Sequence, residues 1–531
     1  MNIVVGTGPA GVSAAVALVR QGLPVTMLDV GLQLEAERLP IVERLASTDP
    51  TAWSSEDLRM VKQGVTSSSK GVPIKRLFGS DFPYQRVPDI FPLARGHHVD
   101  TAMSFARGGF STVWGAAMAP YLPEDLANWP VSFHELEPHY RAVLGFMSTS
   151  ARKDDLSDVF RIEPPSTGAL EPSAQARALL DDLERARVPL TQLGFRFGSA
   201  WLAVRACTSS AGPGCNYCGL CMYGCPRRLI YNSEQTLDYL RSFANFTYRP
   251  DVIVRSVSES AGGAVVHGFD AGSASPIHVP GERIFLACGA LSSTRILLES
   301  LSAFDRSVTM LDSQYYLLPM IRYRSTGSVE GERLHTLCQL FLELSDPVVS
   351  PRTVHLQIYT YNELYVDAFR HMLGPLYRPL LPALKQIISR MMIVQGYLHS
   401  DLSPQIALTL RKSNSDGPAT LHAERIVGAV DPKNTVRRVI RKLRQARTYL
   451  RAIPVGTMLQ MAPSGRGFHS GGTFPMRTEP AELESDRFGR PHGFKRIHVV
   501  DSSVFPSIPA TTITFSVMAN AHRIASEYSL V

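Results

Sequence analysis

Read only for the spacing of apolar and polar residues, the chain divides into short apolar runs, helix-period stretches and alternating segments. It opens with an apolar run at residues 3–5. A glycine-rich break, a helix-period stretch at 12–20 and a second apolar run at 25–28 follow, closing on Asp29. Short apolar runs bounded by turn residues predict strands, and the 3.6-residue period between them predicts a helix. Residues 32–95 contain a helical stretch and then TSSSKGVPIKR, whose composition predicts a loop. NWPVSFHELEPHY predicts a helix starting near Ser132, with Glu135 three residues on in a capping-box arrangement. A helix is predicted at 233–243, and alternation across 247–279 predicts a short antiparallel meander. The apolar run 284–287 then leads through Cys288-Gly289-Ala290 into a further helix, a pattern that predicts a return to the opening sheet. Residues 301–455 interleave strand-like segments, TVHLQIYTY and QIALTL, with helical ones and are expected to form a second domain. The chain closes with a short strand ending at Asp501, a proline-punctuated loop and a helix at 514–526.

The opening break has chemistry in it. Gly6, Gly8 and Gly11 stand at the spacing G-x-G-x-x-G between a predicted strand and a predicted helix. In such a turn the first glycine allows the sharp bend, the second lets backbone N–H groups approach a pyrophosphate, and the third lets helix and strand pack closely. The anion then sits at a helix N-terminus, and Asp29 is placed to accept from a ribose hydroxyl. A dinucleotide site is the expectation. A second glycine-rich loop, Arg107-Gly108-Gly109-Phe110-Ser111-Thr112-Val113-Trp114-Gly115, has the small residues needed to lie against a flat ligand, or to make an ordinary surface turn.

Composition narrows the class. The chain has 531 residues, 44% hydrophobic and 19% charged, with a formal charge of +7, values that fit a globular protein with full cores rather than a nucleic-acid binder. No uninterrupted apolar run reaches the ~18 residues needed to span a bilayer, and the glycine motif lies close to Met1; the expectation is a cytoplasmic protein. Residues 373–397 mix Leu, Ile and Met with Arg, Lys and proline, so a peripheral contact with the inner face of a membrane is one reading and a cap on the pocket another. VRRVIRKLRQARTYLR, at 436–451, reads as a core-packed helix with a solvated basic face.

Of the seven cysteines, five fall between Cys207 and Cys225. Cys215, Cys218, Cys221 and Cys225 form C-x2-C-x2-C-x3-C-P, the spacing of an iron–sulfur run. A [4Fe–4S] cluster on all four is the simplest reading. A [3Fe–4S] cluster, Cys207 as a substitute ligand, and a zinc site remain as alternatives. His469 lies among small residues in FHSGGT and is the best candidate general base near neutral pH. Asp501, at a strand end before a loop and helix, is expected against the dinucleotide. His97 and His98 read as ordinary polar residues rather than cofactor attachment points.

Together these residues resemble the glucose-methanol-choline (GMC) family of flavin oxidoreductases. Gly6, Gly8, Gly11 and Asp29 resemble its FAD fingerprint, residues 107–115 its flavin-contacting loop, and ACGALSSTRILLES and VVDSSVFPSIP…MANAHRIA its strand–helix and closing segments. The resemblance implies an α/β fold, a Rossmann-type FAD-binding domain with an inserted mixed-sheet substrate-binding domain. The expected divisions are 1–300, carrying the cysteine segment 207–226 and an inserted part of the substrate domain, then 301–455, and 456–531 returning to the FAD domain with the catalytic residues. It implies FAD held by Gly6, Gly8, Gly11, Asp29, Arg107, Gly108, Gly109, Ser111, Trp114 and Asp501, with His469 as the catalytic histidine. The family's second catalytic position falls on Thr512, whose hydroxyl hydrogen-bonds but is no base near pH 7. A subset of FAD sugar dehydrogenases in the family carries an iron–sulfur centre in a comparable segment. The expected activity is therefore oxidation of a CH–OH group of a sugar, cyclitol or other polyol, with electrons relayed through the cluster to an external acceptor. Alternatives are a redox-neutral epimerase or isomerase, an oxidase using oxygen with the cysteines as a structural metal site, and a non-catalytic electron carrier.

Overall fold

The computed structural model describes residues 1–64, 74–85, 91–163, 168–209, 212–327, 329–413, 417–426 and 430–528. Most of the expected loop TSSSKGVPIKR, residues 66–73 of it, lies outside these. The first strand, Asn2–Val5, sits at the centre of a parallel five-stranded sheet between Val25–Leu28 and Arg283–Leu286, with Phe246–Arg249 and Ile497–Val499 on the flanks. Parallel strands need crossovers, and helices supply them: Pro9–Arg20 follows the first strand and Ala290–Ser300 follows Arg283–Leu286. The strand residues Ile3, Val4, Met27, Leu28, Ile284 and Phe285 are all buried, as expected of a sheet covered on both faces. The terminal helix, Thr514–Glu527, packs on Pro9–Arg20, and the Ser13 hydroxyl donates to the Met518 carbonyl at 2.7 Å.

The second large sheet is antiparallel. Its strands run in the order Ala452–Pro454, Tyr315–Arg322, Met391–Tyr397, Val354–Tyr359, Leu340–Leu344 and Phe195–Ser199, with Gln460–Met461 paired beside Tyr315–Arg322. A period of two divides its faces. Val354, Leu356 and Ile358 belong to a buried apolar core with Val436, Val439, Ile440 and Leu443 of the basic helix Pro432–Gln445. His355, Gln357 and Tyr359 point the other way, toward the parallel-sheet half of the molecule. The basic helix is thus core-packed, held by its apolar stripe rather than by its charge.

The sheets cross the expected boundaries at residues 300 and 455. Phe195–Ser199 joins the antiparallel sheet from upstream, and a further sheet brings Leu93–Arg95 and Ser470–Gly471 together with Ser307–Asp312, Ile406–Arg411 and Thr420–Arg425. The expected meander is present as Val252–Ser260, Gly263–Asp270 and Pro276–Gly281. The expected helix at Ser132 is Phe133–Leu144, and Ser132 and Glu135 form its capping box. One reading needs correction. Of the segment 373–397 offered as a membrane contact, Met391–Tyr397 is an interior strand, because its apolar run alternates between the core and the opposite face. Only Tyr377–Ile388 remains as a partly exposed helix. Among the described residues no helix is long and apolar enough to cross a membrane.

The two faces of the antiparallel sheet predict opposite outcomes. Leu356→Ala removes a fully buried side chain and should cost about 2–5 kcal/mol. Thermal unfolding followed by circular dichroism should show a larger fall in midpoint for Leu356→Ala than for Gln357→Ala. Equal falls would mean that the facing is wrong.

Candidate functional site

One cavity of about 420 Å³ runs from the first glycine turn to the polar face of the antiparallel sheet. Its floor is built by close backbone approach. A Cβ on Gly11 would stand 1.9 Å from the Gly6 carbonyl oxygen, and one on Gly6 would stand 2.6 Å from that of Ala287. Gly6 also has φ +101°, a region that L side chains rarely adopt. Gly8 is different: a Cβ there meets only the Ala287 oxygen, at 4.0 Å, and otherwise points into open cavity. The helix Pro9–Arg20 has no acidic residue in its first turn and no side-chain cap, which leaves its N-terminal N–H groups for an anion.

Asp29 lines this end of the cavity and accepts a hydrogen bond from the Thr7 hydroxyl at 2.5 Å. Burial pushes its carboxyl up to about 7, against the lowering effect of that hydroxyl and of backbone N–H groups. Thr7 also accepts from the Gly108 N–H at 2.9 Å, so one hydroxyl ties the two glycine loops to the acid. Asp501 lines the cavity too and accepts from the Gly289 N–H and the Ser293 hydroxyl, at 2.9 and 2.5 Å, and from Ser503. Its carboxylate pins the helix Ala290–Ser300 to the C-terminal loop.

The second glycine loop divides. Gly109, Ser111 and Trp114 line the cavity, while Arg107 turns away and pairs with Glu234 at 2.8 Å. Gly108 and Gly11 also stand outside the lining, where they serve loop contact and helix packing. Arg107, Gly108 and Gly11 thus support the residues that line the cavity rather than lining it themselves. His97 and His98 are exposed and away from the cavity.

His469 and Thr512 both line the same cavity. The His469 ring stacks on Tyr397, with centroids 4.6 Å apart, and its Nδ1 has no hydrogen-bond partner. Burial pushes its pKa down to about 3, so the imidazole is neutral across the ordinary pH range. The Thr512 hydroxyl oxygen accepts from the Ala119 N–H at 2.8 Å, which leaves its own proton to donate. Facing them are Tyr315, Gln357, Tyr359, Gln395 and Tyr397 of the antiparallel sheet. Gln357 and Gln395 are directly paired across neighbouring strands. Arg466 also lines the cavity and pairs with Asp100 at 2.8 Å.

The cysteine segment lies behind the Trp114 wall. Lys75 lines the cavity, donates to the Trp114 carbonyl at 2.9 Å, and its charge acts on Cys221 and Cys225. Tyr217 and Gly219, at φ +55° and +76°, bend the loop tightly. The Tyr217 N–H donates to the Cys215 sulfur at 3.4 Å and the Leu229 N–H to the Cys225 sulfur at 3.3 Å. Burial first, and the crowding of neighbouring thiols second, push Cys215 and Cys218 up to about 12. The donor chemistry fits a thiophilic group. Yet among the described residues no three His, Cys, Asp or Glu side chains are placed to hold a metal ion, so Cys215, Cys218, Cys221 and Cys225 are not closed into the expected ligand set. Cys207 is exposed, beside Gly168.

Sequence reasoning missed Thr7, Lys75, Arg466 and the Gln/Tyr wall. The alternation in TVHLQIYTY could have placed Gln357 and Tyr359 on one face, but nothing local says which face lines a cavity. Lys75 carries no local signal at all.

Residues 408–521 match the family model described as GMC oxidoreductase. No curated protein matches the chain in sequence. Among solved structures, pyridoxine 4-oxidase from Mesorbium loti superposes with a TM-score of 0.60 at 13% identity, covering 100% of this chain and 99% of that one. A variant of formate oxidase from Aspergillus oryzae RIB40 superposes at 0.61 with 12% identity, covering 100% and 98%. At these identities the likeness is one of fold.

The glycines make separable predictions. Gly11→Ala should prevent native folding, because the added carbon has no space. Gly8→Val has open space and should fold with little change in thermal midpoint, yet the purified protein should retain at least ~10-fold less flavin. A Gly8→Val protein with full flavin absorbance would show that the dinucleotide lies elsewhere.

Proposed function

We propose that this chain, which has the fold of the GMC oxidoreductases and their C-terminal segment, is an FAD-dependent oxidoreductase acting on a CH–OH donor. The observation that carries this reading is that one cavity is lined at one end by the glycine turn and Asp29, and at the other by a neutral, unpartnered imidazole and a free hydroxyl proton. The residues fit FAD: Gly6 and Gly8 would cradle the pyrophosphate at a helix N-terminus, Asp29 would take a ribose hydroxyl, and Gly109, Ser111 and Trp114 would pack along the remainder. When bound, FAD supplies the acceptor for the hydride on the alcohol carbon.

This chain's own residues handle the proton and the geometry. His469 takes the hydroxyl proton at a nitrogen. Thr512 donates to the same substrate oxygen and fixes which face of the carbon is presented. Tyr397 holds the His469 ring by stacking, and the buried wall excludes water. The polar Gln/Tyr wall supports a sugar, cyclitol or other polyol as substrate. The C-x2-C-x2-C-x3-C-P spacing, with N–H groups aimed at two of its sulfurs, supports an iron–sulfur centre that Cys215, Cys218, Cys221 and Cys225 would hold once drawn together, and that would serve an external electron acceptor. That is the dehydrogenase reading. The oxidases sharing this fold favour a second one, in which oxygen is the acceptor. Iron and sulfide near four per chain after anaerobic purification supports the first; stoichiometric hydrogen peroxide without iron supports the second.

His469→Ala should retain FAD and slow anaerobic flavin reduction by alcohol by ~10²–10⁴-fold. A variant that bleaches at the normal rate refutes the assignment. The pH profile is equally direct. With its pKa lowered to about 3, His469 keeps its basic form until pH falls to that region. The reduction rate should therefore show no acid limb between pH 5 and 8. A limb near pH 6.5 would show that the working base is not His469 in this setting.

A further inference from the structure

Behind the Gln/Tyr wall lies a buried polar chain that the proposed reaction does not use. Glu343 and His355 stand directly opposite each other on neighbouring strands, on the face shared with Gln357 and Tyr359. Both are buried, with side chains 1% and 0% exposed, and His355 Nδ1 lies 2.6 Å from Glu343 Oε1. His355 Nε2 lies 3.2 Å from Gln357 Nε2, and the Tyr359 hydroxyl donates to Gln357 Oε1 at 3.3 Å. A carboxylate, an imidazole and an amide thus run in line from the sheet interior to the cavity wall. Burying an acid and an imidazole between two strands is costly unless the pair has work to do.

The directions of these bonds follow from the carboxylate. Glu343 only accepts, so His355 must donate from Nδ1. The Gln357 side chain is turned with its nitrogen toward His355 Nε2 and its carbonyl oxygen toward Tyr359, so Nε2 accepts from the amide N–H. A glutamine without this anchor is free to turn over, exchanging donor for acceptor at the wall. Gln395, paired across from Gln357, donates to the Tyr397 hydroxyl at 2.5 Å. Two side-chain amides therefore stand side by side on the cavity wall, and His355 orients the one at Gln357.

We propose that His355, oriented by Glu343, is a positioning residue that fixes the polarity of the Gln357 amide, so that the wall selects a ring bearing further hydroxyl groups over a plain alcohol of the same size. This deepens the oxidoreductase reading and rests on it. A wall of fixed donors and acceptors leaves buried polar groups unpaired when the added hydroxyls are missing, and such sites discriminate strongly.

The test uses the holoenzyme and two probe pairs, myo-inositol against cyclohexanol and D-glucose against cyclohexylmethanol, followed by anaerobic flavin reduction. Within each pair the polyol should be favoured by ~10²-fold or more in kcat/KM. Gln357→Leu and His355→Leu should collapse that ratio, chiefly by raising KM for the polyol. His355→Gln, which can still accept from the amide, should restore part of it. A preference for the plain alcohols, or variants that slow both members of a pair equally, overturns the proposal and leaves the oxidoreductase reading standing. Dithionite bleaching with no reduction by any of the four alcohols counts against the oxidoreductase reading itself. The device can also be read without turnover. The ¹⁵N spectrum of histidine-labelled protein, with His355 assigned by its loss in His355→Gln, should show a neutral ring protonated at Nδ1 whose state shifts in Glu343→Leu. A ring protonated only at Nε2 overturns the proposed orientation of Gln357.

Discussion

The architecture depends on one contact that admits no side chain. The first strand turns at Gly6, the helix starting at Pro9 passes over that turn at Gly11, and the Ala287 turn closes from the neighbouring strand. A single added carbon at Gly11 would fall 1.9 Å from a carbonyl oxygen. Because three backbone segments meet there, the helix N-terminus, the end of the second strand and the Gly289 turn all open on one cavity. Asp29 and Asp501 follow from that placement. Each is a buried acid at a strand end, and each is held by hydroxyl and N–H donors from a different segment: Thr7 for Asp29, and Gly289, Ser293 and Ser503 for Asp501.

The second sheet completes the site. Its period of two gives it an apolar back, filled by Val436, Val439, Ile440 and Leu443, and a polar front bearing Gln357, Tyr359, Gln395 and Tyr397. Tyr397 connects the two halves, since it stands on the sheet and stacks on His469 of the C-terminal segment. The imidazole is kept neutral by burial rather than by a partner.

What could be read in the sequence is what local chemistry dictates. Gly6, Gly8 and Gly11 announce the turn by spacing, Ser132 and Glu135 announce a helix start, and Val436 to Leu443 show their buried stripe. Contacts between distant segments leave no such trace. Nothing near Thr7 shows that it will bind Gly108, and nothing near residues 195–199 shows that they will edge a sheet formed from residues beyond 300. Residues 391–397 are ambiguous for a related reason. A short apolar run rich in Met, Ile and Val has the composition of a surface-seeking helix and of an interior strand alike, and only its partners decide. Nothing in the glycine loop shows that Arg107 will pair with Glu234, more than a hundred residues away.

The central claim is that one cavity holds a dinucleotide flavin at the glycine end and presents the alcohol to His469 at the other. The most direct measurement is a crystal structure of the purified holoenzyme, with its cofactor identified by mass after acid release. The account predicts one FAD per chain, its pyrophosphate at Gly8 and its ring edge within contact of His469 and Thr512. A nicotinamide dinucleotide in its place, or a flavin whose ring lies away from His469, would contradict it.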